Sequence, residues 1–139
     1  MVARAGPSHK GDEVQVTAQR YADVLVVAAA GRIDHQNAEE FKATLLPHLE
    51  SCGAGRDQVV LDLSQLEYIS SAGLRILMIA AKDARVRQGK LLAVTLQPVV
   101  REIFEISRFT LIFEIHESIR DALLKISPAA LAAYESKSL

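Results

Sequence analysis

Apolar residues along this chain recur at two different spacings, and the change between them predicts alternating strands and helices. Val14, Val16 and Ala18 alternate with polar residues, which predicts an edge strand. The continuous apolar run from Val24 to Ala30 predicts a strand buried on both faces. Because only the polar segment Gln19 to Asp23 separates these runs, we expect them to form a hairpin.

A first helix is predicted after the hairpin. Asn37, followed three residues later by Glu40, is typical of a capping box at a helix start. The residues that then recur at helical spacing, and that we expect to be buried, are Ala38, Phe41, Leu45 and Leu49. Pro47 falls inside this pattern. Since proline lacks a backbone N–H and crowds the preceding turn, the helix is expected to bend or end near Leu46.

The stretch from Val59 to Val86 is the longest patterned segment of the chain. The apolar run Val59 to Leu63, interrupted by a single aspartate, predicts a strand that is buried on both faces. Two serines and Gly73 follow it, and the apolar residues then return at helical spacing as Leu74, Leu77, Ala81 and Ala84. We therefore expect Ser70 to be the N-cap of a helix and Ser71 to be its first residue, with an outward side chain.

This central helix is predicted to have two unlike faces. At ~100° per residue, the face that continues from Ser71 carries Arg75, Met78, Ile79, Lys82 and Val86. The opposite face carries Leu77, Ala80, Ala81 and Ala84, which we expect to pack into the core. The outer face mixes basic and apolar groups. Ile79 and Val86 are therefore either partly covered structural residues or anchors of an interface.

The remaining segments continue the alternation of strands and helices. After the stop signal Gly89, the predicted elements are a strand at Leu91 to Leu96, a short helix capped by Gln97 that begins at Pro98 and buries Val100, Ile103 and Phe104, a strand at Thr110 to Ile115, and a helix at Ser118 to Ile126. Pro128 then begins an Ala-rich tail, which is expected to add one loose helical turn. This order predicts one α/β domain with a mixed, mostly parallel sheet of about five strands, an N-terminal antiparallel hairpin edge and about four helices.

Length and composition restrict what the chain can be. A chain of 139 residues that is half hydrophobic and 24% charged can bury a core as a single domain, so we divide it into a mobile leader (1–12), the domain (13–127) and a C-terminal tail (128–139). The formal charge is −1 and no basic cluster is interleaved with aromatic residues, which argues against nucleic acid as a partner. No apolar run is long enough for membrane insertion, and a single cysteine, Cys52, fits a reducing compartment, so we expect a cytoplasmic protein.

Catalytic motifs are missing around the two serines. A serine between a strand and a helix is typical of a nucleophile elbow, but Ser71 lacks the first glycine of G-x-S-x-G. The histidines that could serve as its base, His35, His48 and His116, are tied to it by no motif. Phosphate-loop, HExxH and EF-hand patterns are also missing. We therefore expect a protein that is not an enzyme and that has no cofactor or metal site.

Three segments taken in order resemble the STAS family, and specifically its stand-alone bacterial anti-sigma factor antagonists. They are GRIDHQNAEEF, VVLDLSQLEYISSAGLRIL, and PVVREIFEISRF followed by LIFEIHES. The resemblance covers roughly residues 14 to 126. The chain departs from the family pattern at Ser70, where many members carry aspartate, and at Arg108, where many carry glycine.

The resemblance implies a phosphorylated serine. In the family, a GHKL-type serine kinase that also acts as the anti-sigma factor phosphorylates the serine before a small residue and glycine, and a metal-dependent serine phosphatase reverses the reaction. The resemblance makes Ser71 the acceptor, with Ser70 as second choice. Together with the outer helix face, it implies a partner-binding surface formed by Asp34, His35, Ser70, Ser71, Ala72, Gly73, Arg75, Met78, Ile79 and Lys82.

Two functions remain open from the sequence. The first is a partner-switching regulator that occupies the kinase when unphosphorylated and is released by phosphorylation at Ser71. The second is a constitutive STAS scaffold, or a subunit of a larger assembly such as a transport complex, in which Ser71 has only a capping role. Composition does not separate them, because both need the same domain.

Overall fold

The computed structural model describes residues 14–53, 55 and 57–138, without the side chain of residue 138. The predicted leader, residues 1–12, lies outside the described residues. The strands are β1 (Val14–Tyr21), β2 (Val24–Ile33), β3 (Gln58–Asp62), β4 (Leu66–Ile69), β5 (Leu91–Val94) and β6 (Glu114–His116). The helices are α1 (Ala38–Leu49), α2 (Ser71–Val86), α3 (Pro98–Ile106), α4 (Ile119–Ile126) and α5 (Pro128–Ser138), and a 3₁₀ turn covers Phe109–Leu111.

The described strands form one mixed sheet in the order β1-β2-β3-β5-β6, with β4 also pairing with β2. The β1–β2 hairpin is antiparallel and every other pair is parallel. Each parallel neighbour is reached through a connection that crosses a face of the sheet, as parallel pairing requires. The predicted fold class, a single α/β domain with an antiparallel hairpin at its edge, is therefore confirmed.

Strand β2 is shared between two parallel partners. Its first half pairs with β3, from Val24 opposite Gln58 to Ala28 opposite Asp62. Its last residues pair with β4, and the register shifts between Gly31 and Arg32. We did not predict β4, because it has only four residues and the shift disturbs the alternation of inward and outward residues that identifies a strand.

Helices cover both faces of the sheet, and each face has its own core. The larger core joins α1, α2 and α3 to the sheet through residues such as Phe41, Leu77 and Phe104. The smaller core joins α4 and α5 to the opposite face through Leu123 and Ala130. Strand β3 contributes to both, since Val59 and Leu61 belong to the larger core and Val60 to the smaller. The prediction that this strand is buried on both faces is confirmed.

Helix α1 begins after Asn37 as predicted, but its cap and its end differ from the prediction. The helix continues past Pro47 to Leu49. The proline lies in the last turn, where its missing N–H removes a single backbone hydrogen bond. The flanking Leu45 and Leu49 hold this turn in the core, since they are 0% and 5% exposed. Asn37 precedes the helix but makes no side-chain cap to it. Its amide instead binds the preceding loop, so the predicted capping box was wrong.

The C-terminal third also differs in detail from the prediction. The expected strand at residues 110–115 is divided into the 3₁₀ turn and the short strand β6, because Phe109 and Phe113 both turn inward to contact Phe104, with ring centres 5.4 and 6.2 Å away. The strand expected to reach Leu96 ends at Val94, where Thr95 takes a positive φ of 60°.

The predicted loose turn after Pro128 is an 11-residue helix, α5. The ring of Tyr134 packs edge-on against Tyr21 with centroids 5.3 Å apart, and Ala130 is fully buried. Sequence periodicity missed this helix because small alanine side chains do not mark a buried face.

Candidate functional site

The carboxyl ends of β2 and β4 lie side by side and bring two polar segments together. Ile33 and Ile69 are paired, and the backbone N–H of Ser70 donates to the carbonyl of Ile33 over 2.8 Å. The chain therefore leaves β2 through Asp34 and leaves β4 through Ser70 at the same edge of the sheet. Ligands of open α/β sheets commonly bind at this edge.

Ser70 is the N-cap of α2. Its backbone is extended, and its Oγ accepts a hydrogen bond from the N–H of Gly73 at 3.3 Å. Its carbonyl accepts from the N–H of Leu74 at 2.9 Å, and the residue is only 5% exposed. The predicted cap is confirmed. Because the Ser70 hydroxyl is buried and already bound to the backbone, its role in the structure is to begin the helix.

Ser71 occupies the first position of α2 and is exposed. The first N–H groups of a helix lack internal partners and carry a partial positive charge. A negative group attached to the Ser71 hydroxyl would therefore be stabilised by the helix terminus. Arg75 is one turn further along and is also exposed, which places a cation on the same side of the helix.

Asp34 organises the loop that follows β2 at this end of the sheet. One oxygen of its carboxylate, Oδ1, accepts from the backbone N–H of Gln36 at 2.9 Å and of Asn37 at 3.0 Å. The N–H of Asp34 in turn donates to Oδ1 of Asn37 at 2.8 Å, and the amide of Asn37 donates to the carbonyl of Arg32 at 2.8 Å. This network fixes the loop, while His35 between these residues is exposed.

Gly73 lets α2 rest directly on the ends of both strands. A Cβ at this position would lie 2.7 Å from Cγ2 of Ile33 and 2.7 Å from Cγ1 of Ile69, closer than any ordinary contact. Both isoleucines are buried in the larger core. The missing side chain therefore lets the first turn of α2 pack closely against Ile33 and Ile69.

The residues on the outer face of α2 fall into an exposed group and a half-buried group. Ser71, Arg75 and Lys82 are exposed, whereas Met78 and Ile79 are half-buried and Met78 packs against the larger core. Val86 is 82% exposed but lies 15 residues from Ser71, roughly 22 Å along the helix at 1.5 Å per residue. Of the two residues left open by the sequence, Ile79 is thus partly covered, and Val86 lies far from the serines.

One pair near this edge was not singled out from the sequence. The guanidinium of Arg32 stacks over the ring of Tyr68, 4.7 Å from its centre, and the two residues are register partners in β2 and β4. They precede Ile33 and Ile69, so they lie on the sheet face opposite α2. Only knowledge of β4 could have revealed this pair.

The described part of the chain contains neither a candidate metal cluster nor a candidate membrane span. No group of three His, Cys, Asp or Glu residues there could hold a metal ion. None of the helices in residues 14–53 and 57–138 is both long and apolar enough to cross a membrane. The end of the sheet near Ser71 carries the exposed Ser71 hydroxyl, a fixed acidic loop and the start of a helix.

Comparisons with known proteins agree on one domain type. A sequence model of the STAS domain matches residues 15–122. The chain is 40% identical over 105 residues to a candidate anti-sigma factor antagonist, BtrV of Bordetella bronchiseptica, with 76% of this chain and 88% of BtrV covered.

Solved structures give the same fold. An anti-sigma factor antagonist from Mycobacterium paratuberculosis superposes with a TM-score of 0.71 at 23% identity, covering 83% of this chain and 95% of the other. A candidate anti-sigma factor antagonist from Thermotoga maritima also reaches a TM-score of 0.71, at 20% identity, with 80% and 93% covered.

Proposed function

Because this chain belongs to the STAS domain family, we propose that it is a partner-switching regulator of the anti-sigma factor antagonist type, controlled by phosphorylation of Ser71. Unphosphorylated, it occupies a serine kinase that also acts as an anti-sigma factor. Phosphorylated, it releases that partner. The similarity to BtrV over most of both chains supports the general role, and the geometry around Ser71 supports the choice of residue.

The observation that carries the proposal is the difference between two adjacent hydroxyls. Ser70 is 5% exposed, and its oxygen already accepts from the N–H of Gly73. Ser71 is exposed at the first position of α2, where a kinase can reach it. Modifying Ser70 would require opening the helix start, whereas modifying Ser71 would not. The acceptor proposed is therefore Ser71.

The proposed switch works through charge at the surface. A phosphoserine carries about −1.5 to −2 charges at neutral pH. At Ser71 this charge would meet the positive end of α2 and the neighbouring Arg75, so the fold tolerates it. A partner packed over the same residue would have to desolvate the phosphate, which opposes binding. Couplings of about 1–3 kcal/mol, or 5- to 150-fold in affinity, are typical of such switches.

The proposed partner surface is centred on the edge where β2 and β4 end. It comprises Asp34, His35, Ser70, Ser71, Ala72, Gly73, Arg75, Met78, Ile79 and Lys82. Within it, the exposed residues are the candidates for direct contact, and buried Ser70 and Gly73 position them. The partners proposed are a GHKL-type serine kinase and a metal-dependent serine phosphatase.

Phosphorylation can be tested with the purified chain. We would incubate it with ATP and each serine kinase of the same genome, and locate the phosphate by mass spectrometry. Phosphate on Ser71 and none on a Ser71→Ala variant is the expected result. Phosphate on Ser70 would contradict the site. No phosphate with any kinase would contradict the switch and favour a constitutive scaffold.

Binding provides a second test with a matched control. Ser71→Asp adds a charge at the proposed contact, and Ser71→Asn has nearly the same shape without the charge. We expect Ser71→Asp to weaken binding to the kinase by at least 5-fold relative to Ser71→Asn. Both variants should keep their unfolding free energy within about 1 kcal/mol of the unmodified chain, as exposed substitutions usually do. Equal affinity of the two variants would contradict a charge-based switch.

A further inference from the structure

Strand β1 forms one edge of the sheet and offers a long, regular ladder. Its eight residues pair with β2 without a break, from Val14 opposite Gly31 to Tyr21 opposite Val24. No other strand of the described chain pairs with β1. Its outer side is therefore a row of backbone groups whose natural complement is another extended strand.

The usual protections of an edge strand are missing from β1. Its sequence, VQVTAQRY, contains no proline and no lysine, and its pairing with β2 contains no bulge. Its single charged residue, Arg20, is engaged by both carboxylate oxygens of Asp57 at 2.8 and 2.7 Å. Thr17, Ala18 and Gln19 are all exposed although successive side chains point to opposite faces, so neither helix layer overhangs this part of the edge.

The hairpin geometry determines which groups face outward. Ala22 and Asp23 form a two-residue turn, and the residues flanking such a turn, Tyr21 and Val24, are expected to exchange both of their hydrogen bonds. The alternation of an antiparallel ladder then directs the N–H and C=O of Val16 and Ala18 away from β2. These are the groups available to a new strand.

We propose that β1 pairs antiparallel with β1 of a second copy of this chain, about a two-fold axis that passes beside Thr17. In this register Thr17 meets Thr17 of the second copy, and Val16 meets its Ala18. Threonine pairs and aliphatic pairs are favourable cross-strand neighbours. Arg20 meets Val14 of the second copy, so like charges are not opposed. The strand is thus complementary to itself, as a two-fold contact requires.

The proposed dimer leaves the Ser71 surface uncovered. The two-fold axis is perpendicular to the sheet, so α2 of both copies lies on the same face of the joined sheets. Ser71 sits at the start of α2, away from the outer edge of β1. The dimer would present two Ser71 surfaces to a partner, and it does not depend on whether Ser71 is phosphorylated.

The molecular mass in solution and cross-linking through one introduced cysteine test the pairing. We expect sedimentation equilibrium of the full chain to give a dimer, and oxidation of Thr17→Cys to give a covalent dimer. The control Gln65→Cys, exposed in the turn before β4, should not cross-link efficiently. The native Cys52 is 1% exposed and should not interfere. A chain that is monomeric at its highest soluble concentration, or equal cross-linking at both positions, would overturn the proposal.

Two edge variants test the contact itself. Ala18→Pro removes an outward N–H and should yield a monomer with an unchanged circular dichroism spectrum. If that variant is unfolded, Thr17→Lys serves instead, because it sets two like charges opposite each other across the axis. Thr17→Gln is its neutral control and should remain dimeric. A Thr17→Lys variant that stays dimeric would overturn the pairing through β1.

Discussion

Replacing Gly73 with alanine tests whether the close approach of α2 to the strand ends is required. The added methyl would lie 2.7 Å from Cγ2 of Ile33 and from Cγ1 of Ile69, and 3.2 Å from Cδ1 of Ile69. The two isoleucines are 0% and 1% exposed, so neither can move outward to make room. The helix must therefore lift away from the sheet, or the isoleucines must leave their preferred rotamers.

Two opposing effects set the size of the change. Alanine is a better helix former than glycine by roughly 0.5–1 kcal/mol. Overpacking a rigid core costs about 1–3 kcal/mol. Because both contacted side chains are fully enclosed, we expect the upper part of that range and a net loss of about 1–2 kcal/mol of unfolding free energy for Gly73→Ala.

Urea unfolding followed by circular dichroism measures this loss. Ser71→Ala is the matched control, since it places alanine at an exposed position of the same helix and should change the unfolding free energy by no more than about 0.5 kcal/mol. A Gly73→Ala variant as stable as the unmodified chain would refute the packing argument.

A double-mutant cycle with Ile69→Ala sharpens the test. That substitution alone should cost about 2–5 kcal/mol, because it empties a buried site. In the Gly73→Ala background the new methyl occupies part of the emptied space, so the double variant should lose less than the sum of the two. Strict additivity would mean that the two groups do not touch.

Two further predictions concern titratable groups. The hydroxyl of Ser127, and then the amide of Gln58, donate to the carboxylate of Asp23 and lower its pKa. The ionised Asp23 carboxylate therefore stabilises the fold at pH values above the pKa of an unfolded aspartate, about 3.9. This stabilisation is lost as the pH falls through the pKa of Asp23 in the folded chain. In urea unfolding, the difference in unfolding free energy between the unmodified chain and Asp23→Asn should shrink below about pH 4. A difference that grows in favour of the unmodified chain on acidification would contradict this. Burial raises the pKa of the Cys52 thiol, so a thiol-specific reagent should modify Cys52 slowly in the native chain and rapidly in urea; equal rates would contradict its enclosure.

The fold was predictable from the sequence where buried residues recur at a regular spacing along the chain. The hairpin, β3 and α2 all follow from apolar runs and from the helical spacing after Ser71. Predictions failed where tertiary contacts override the local pattern. Pro47 is tolerated because the core holds the last turn of α1, and β4 is too short and too irregular in register to be recognised.

The site was predictable in part. The roles of Ser70 as cap and Ser71 as first helical residue follow from N-cap preferences, and the structure confirms both. The approach of Ser70 to the end of β2, where its N–H donates to the carbonyl of Ile33, depends on β4, which brings Ile69 beside Ile33, so it could not be predicted from spacing. Arg108 has a left-handed backbone with φ of 63°, which explains why glycine is the residue expected at that position.

The bond between Ser127 and Asp23 joins positions 104 residues apart in the chain. Ser127 also caps the start of α5, whose Tyr134 packs on Tyr21 at the end of β1. A nascent chain can form its hairpin early, but it cannot form this hydrogen bond until Ser127 has left the ribosome. Truncations that remove Ser127 together with α5 should therefore lengthen the time for which the first two strands stay exposed to chaperones and proteases.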